Sequence, residues 1–189
     1  VGVDVHVAGT DPYPWPYDGR LEGRHLALVL AGWDEAWSDR SLEPETASVQ
    51  CARLATAVAS FGGLVVGVTH RAATALELPV PGRSVTADGI DGFHGGPLDG
   101  VLRRAGCSHL LVAGFGLEGP VHSTLRSAND RGYECLLLTD AAAPLTSALA
   151  EASAKTVTMS GGIFGAIGTT DSVIDAIDAA SLPMLTKES

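Results

Sequence analysis

Four short stretches constrain this chain more than anything else in it. HLALVLA (25–31), LVVGVTH (64–70), HLLVAG (109–114) and YECLLLTD (133–140) carry apolar residues at consecutive positions. A strand with one wet face alternates apolar and polar residues, so consecutive apolar positions mean burial on both faces. Helical patterns separate these runs. PETASVQCARLATAVASFGG (44–63) places Val49, Leu54, Val58 and Phe61 near one face, with Gly62 and Gly63 as the stop. PLDGVLRRAG (97–106) opens on proline and closes on glycine, as short helices do. PVHSTLRSANDRG (120–132) and APLTSALAEASAK (143–155) are further helices; VTMS (157–160), GGIFGAIGTT (161–170) and a helix from Asp171 to about Ala180 follow. Strands buried on both faces and alternating with helices predict a parallel sheet covered on both sides and doubly wound by right-handed crossovers.

In such sheets a site lies outside the carboxyl ends of the strands. Those ends are Ala31–Asp34, Thr69–Arg71, Gly114–Pro120 and Asp140–Ala142. The third has the most unusual chemistry. GFGLEG (114–119) fits a dinucleotide fingerprint, and Asp140 ends the next strand. However, two strand–helix units precede it, and Glu118 would face the pyrophosphate. The turn is built like an active-site elbow but offers Pro120 at its tip.

Other chemistry is thin. Cys51, Cys107 and Cys135 sit within a helix, before a strand and within a strand. None lies at the helix start that would favour a thiolate. An odd number without close spacing suggests reduced thiols, a cytoplasmic setting, and neither a disulfide framework nor a zinc site. No pair among His6, His25, His70, His94, His109 and His122 has metal-ligand helical spacing, so no metal or other cofactor is expected. The net charge of −10 disfavours nucleic acid and anionic membranes as partners. The 46% apolar and 18% charged composition fits a well-buried domain, with no apolar run long enough for a membrane helix.

Residues 1–22 form an N-terminal arm, and 23–189 a single domain. In the arm Pro12, Pro14 and Pro16 alternate with Tyr13, Trp15 and Tyr17, which favours an extended segment. The start lacks the basic and apolar regions of a signal peptide, and its first residue, Val1, suggests a trimmed end. Large aromatic side chains left in water would make an exposed patch, so the arm is expected to be an interface.

The order of these segments resembles the isochorismatase-like cysteine hydrolases, most closely the amidohydrolase branch acting on biuret and ureidoacrylate-type substrates. PYPWPYDG (12–19) is similar to that branch's arm, and LALVLAGWDEAW (26–37) to its first strand. Residues 92–143 resemble its SAF and GvxTxxCV blocks in order and spacing; 161–177 resemble its last strand and helix. The resemblance implies a three-layer Rossmann-like α/β fold with a mainly parallel six-stranded sheet. It also implies a cysteine nucleophile, an aspartate and a lysine. Carried over, the aspartate falls on Ala31 and the cysteine on Pro120. The lysine has no equivalent. The only lysines are Lys155 and Lys187, and Arg83, in the matching region, cannot serve as a proton-transfer base. The resemblance further implies a cis Phe115–Gly116 peptide and an oligomer. The stretches 33–43 and 70–96 look too short to cover a site.

Three functions follow as expectations. The first is a non-catalytic scaffold or partner subunit, associating with its own copies or with an active paralogue. The second is a hydrolase of a small amide with a rebuilt site. The third is a small-molecule binding protein. The pocket residues for the latter two would be Trp33, Asp34, Phe93, His94, Phe115, Gly116, Glu118 and His122, with Glu118 and His122 as an acid–base pair. Pro120 itself is expected at the first position of its helix, where a missing N–H is tolerated.

Overall fold

The computed structural model describes residues 4–182, so Lys187 and the first three residues of the arm lie outside the described residues. The apolar runs form strands β1 (Leu26–Ala31), β2 (Leu64–His70), β4 (His109–Phe115) and β5 (Glu134–Ala143), joined by β3 (Arg83–Ala87) and β6 (Ala166–Gly168). All six pair in parallel, in the order β3-β2-β1-β4-β5-β6. The helices are α1 (Glu35–Ser38), α2 (Pro44–Ser60), α3 (Leu98–Ala105), α4 (His122–Asp130), α5 (Ser147–Gly162) and α6 (Thr170–Ser181). No helix among the described residues is long and apolar enough to cross a membrane.

The continuous apolar runs serve two cores at once. In β1, Leu26, Leu28 and Leu30 face Ala47, Cys51, Leu54 and Val58 of α2 and Val173 and Ile177 of α6. Ala27, Val29 and Ala31 face the layer holding Leu98 and Leu102 of α3 and Leu125 and Ala128 of α4. Every β1 residue is buried, and each leucine so placed contributes about 2 kcal/mol. Val49 departs from the sequence reading: it is 59% exposed. The sheet-facing stripe of α2 runs through the small residues Ala47, Cys51 and Ala55, and Val49 falls outside it.

Three further differences have local causes. β3 lies inside the stretch 70–96, which the sequence leaves without an element. It is an edge strand, burying only Val85 and Ala87. VTMS continues α5, whose last turn becomes irregular at Met159, Ser160 and Gly161. The arm does not stand in water. It bridges back on itself at Val7 and Trp15 and pairs antiparallel with the β6 edge through Asp11 and Ile167. Trp15 is fully buried in the α2-side core, Tyr13 is half-buried, and only Tyr17 stays exposed. Covering its own sheet edge removes most of the aromatic patch on which the interface expectation rested.

Candidate functional site

The chain leaves β1 in one direction through β2 and β3, and later in the other through β4, β5 and β6. The switch point therefore lies between the carboxyl ends of β1 and β4, where Ala31 pairs with Gly114. The strands approach so closely there that a Cβ on Gly114 would lie 2.1 Å from the Ala31 carbonyl oxygen. That packing accounts for the first glycine of GFGLEG without any ligand.

The turn after β4 differs from expectation in two ways. The Phe115–Gly116 peptide is trans, not cis. Gly116 makes the turn in the left-handed region, φ 67°, and donates its N–H to Ser41 Oγ at 3.0 Å. It does not present that N–H to a crevice. Pro120, moreover, is not the first residue of a regular helix but lies inside a π-type turn, Leu117–Val121, that precedes α4. A residue with an N–H at 120 would donate to the Gly116 carbonyl in the α-helical register. Proline has none, so that oxygen accepts from Gly119 at 2.9 Å and Val121 at 3.4 Å instead.

The crevice itself is filled. The buried Pro120 ring packs against Gly32, where an added Cβ would come within 3.1 Å of ring atoms and 2.6 Å of the Phe115 carbonyl oxygen. Trp33 stacks on Phe115 at 5.0 Å and donates its indole N–H to the Glu77 carbonyl. Trp37 lies against the turn: a Cβ on Gly116 would fall 2.5 Å from its Cε3, and one on Gly119 3.0 Å from its Cη2. The segment after β2 crosses the same residues, Glu35 donating to Thr74 and Leu76 to the Trp33 carbonyl. Residues 74–76 of the second short stretch thus lie directly against Trp33 and Glu35.

Polar groups expected to line a pocket are engaged in holding the backbone. Asp34 is fully buried and accepts from the N–H groups of Trp37 at 3.0 Å and His70 at 3.1 Å, capping α1. Glu118 accepts from Leu145 and Thr146 at the entry to α5. Asp140, the acid of the dinucleotide alternative, accepts from Thr170 at the start of α6. His122 packs edge-on against Phe164, and its Nε2 has no partner. Burial, and secondarily the Arg126 charge, pushes its pKa down. Glu118 and His122 therefore face different neighbours and form no acid–base pair. Phe93 turns to Tyr133 and Arg131, and His94 is exposed. Trp33, Asp34, Phe115 and Gly116 gather at the switch point; Phe93 and His94 do not join them.

No thiol is poised for attack. Burial pushes Cys51 up to about 12, with its Sγ 3.3 Å from the Ala141 carbonyl oxygen. Burial raises Cys107 and Cys135 as well. The residue that sequence reasoning missed is Trp37. Its place in the crevice depends on two glycines some eighty positions away having no side chains, and no local spacing encodes that.

These features define a three-layer, doubly wound α/β domain with an elbow-like turn after the fourth strand and a closed switch point. The chain belongs to the isochorismatase family: the Isochorismatase domain model matches residues 45–172. Its fold is similar to that of a cysteine hydrolase from Pseudomonas syringae pv. phaseolicola 1448A, with TM-score 0.71 and 19% identity over 85% of this chain and 95% of that one. It is likewise similar to an isochorismatase family protein from Desulfovibrio vulgaris (TM-score 0.68, 18% identity, 82% and 99% covered). The nicotinamidase from Staphylococcus aureus matches with TM-score 0.69 and 14% identity, covering 77% of this chain and 99% of that one.

Proposed function

We propose that this chain is a non-catalytic member of the isochorismatase family that acts as a scaffold or partner subunit, docking with its own copies or with an active relative. The observation that supports this reading is the packing at the switch point, where Pro120, Trp37 and the Trp33–Phe115 stack lie against one another and against Gly32, Gly116 and Gly119. The resemblance puts the family's nucleophile at Pro120 and its acid at Ala31, and neither side chain can do that chemistry. Proline also removes a backbone N–H from the turn, and losing one oxyanion donor alone typically raises the barrier by about 3 kcal/mol. Reduced, unpaired thiols fit a cytoplasmic setting.

The test is ammonia release from biuret, ureidoacrylate-type and nicotinamide-type amides, with and without a thiol alkylator. The expected result is no turnover above buffer in either condition. Turnover that the alkylator abolishes contradicts the proposal. A native mass of the protein purified from its own host tests the docking half; a lone monomer at micromolar concentration counts against it.

A further inference from the structure

The amino end of the sheet holds three groups that the family's chemistry does not use. His109 opens β4 and Glu134 opens β5; the two are direct partners in the parallel register. Asp18 comes from the arm. His109 Nε2 lies 3.4 Å from a Glu134 oxygen and 3.7 Å from Asp18 Oδ1, and all three ligand atoms fall within 4.8 Å of one another.

These separations are too long for good hydrogen bonds, which cluster near 2.9 Å. They are the separations of atoms that share an ion: bonds of about 2.1 Å at tetrahedral angles put neighbouring ligands about 3.4 Å apart. Each group is also held in place. Ser108 Oγ sits 2.9 Å from His109 Nδ1; accepting that N–H would leave the Nε2 lone pair facing the two carboxylates. Trp15 packs edge-on against the imidazole at 5.8 Å. The Tyr17 N–H is bonded to the other Glu134 oxygen, and the Arg20 N–H to Asp18 Oδ1. Among the described residues no lysine or arginine head group pairs with either carboxylate. Asp18 is exposed and the Glu134 side chain is partly so, which leaves the cluster within reach of solvent.

We propose that Asp18, His109 and Glu134 bind one divalent ion of the zinc type and that this ion clips the arm to the amino end of the sheet. One imidazole and two carboxylates suit a borderline ion better than a thiol-seeking one. The two carboxylates would balance the ion's charge. The site is distinct from the crevice between β1 and β4, which lies at the opposite end of the strands, and its role is to fasten rather than to catalyse.

The test uses the full chain, stripped with a chelator and titrated with Zn²⁺. Native mass spectrometry should show one retained ion per chain. The melting midpoint should rise by several degrees, and proteolysis within the arm should slow. Asp18→Asn and His109→Gln should each weaken affinity at least about tenfold, and Ser108→Ala by about tenfold through loss of ring positioning. Asp18 is largely exposed, so its variant reports on binding even if His109→Gln folds poorly. Two results overturn the proposal. One is no retained ion and no change in melting at 100-fold excess Zn²⁺. The other is an ion retained with equal affinity by Asp18→Asn, which would place it elsewhere.

Discussion

The two ends of the sheet are built on opposite principles. At the carboxyl end, where topology puts a crevice, aromatic rings and a proline fill the space and nearby acids cap backbone N–H groups. At the amino end, where topology provides no crevice, an arm folds back and brings the Asp18, His109 and Glu134 side chains together at separations longer than a hydrogen bond. A doubly wound sheet thus fixes where a site can form but not whether it stays open. The distribution of unengaged polar groups is the better guide to where ions or ligands go.

The comparison breaks first if the arm is only loosely attached. Trp15 is fully buried, so Trp15→Ala should cost about 3–5 kcal/mol in urea unfolding, as for other large aromatic truncations. A loss below about 1 kcal/mol would mean that the arm is not part of the core. Trp37 is only partly buried, and Trp37→Ala should cost about 2 kcal/mol. Opening the crevice this way should give no amide turnover, even with Pro120→Cys and Ala31→Asp added, because no lysine is supplied and groups that act as a unit fail together. Clear amidase activity in the triple variant would show that the missing lysine is not needed.

The smallest effect sharpens the view of the carboxyl end. His122 has a buried Nε2 without a partner, and burial lowers its pKa below the ordinary 6.5. The unfolded chain then binds the proton more readily than the folded one. The stability tied to neutral His122 is fully present above about pH 6.5 and is lost as pH falls through the depressed folded value. His122→Phe should remove that acid-side loss and gain about 1 kcal/mol at pH 7 by deleting an unsatisfied group. Denaturant midpoints at pH 5 and pH 7.5 read the difference. An unchanged acid slope would mean that His122 is not the group responsible.

Much of the fold was legible because β1, β2, β4 and β5 are buried on both faces, and burial writes itself into consecutive apolar residues. The start and end of α3 were readable from Pro97 and Gly106, whose backbone preferences are local. β3 was not legible, since an exposed edge strand buries two side chains and carries no apolar run. Val49 misled because size drew attention away from Ala47 and Cys51, which fit closer to the sheet. The site was legible only as an elbow with proline at its tip. That the elbow is closed depends on Trp37 meeting Gly116 and Gly119, and the arm's fate depends on Trp15 finding a cavity beside α2. The amino-end cluster draws on three separate segments and likewise leaves no trace in any one of them.

The central claim is that the carboxyl end is sealed and holds no reachable nucleophile. Counting thiols with an aromatic disulfide reagent, before and after denaturation, tests it most directly. All three cysteines are buried and free, and burial raises each pKa. The account predicts no thiol reacting within minutes in the native protein at pH 7 and all three reacting in denaturant. Rapid reaction of Cys51, whose Sγ lies beside the Ala141 carbonyl near the carboxyl ends of β4 and β5, with a rate that stays high below pH 7 in the native chain, would contradict it.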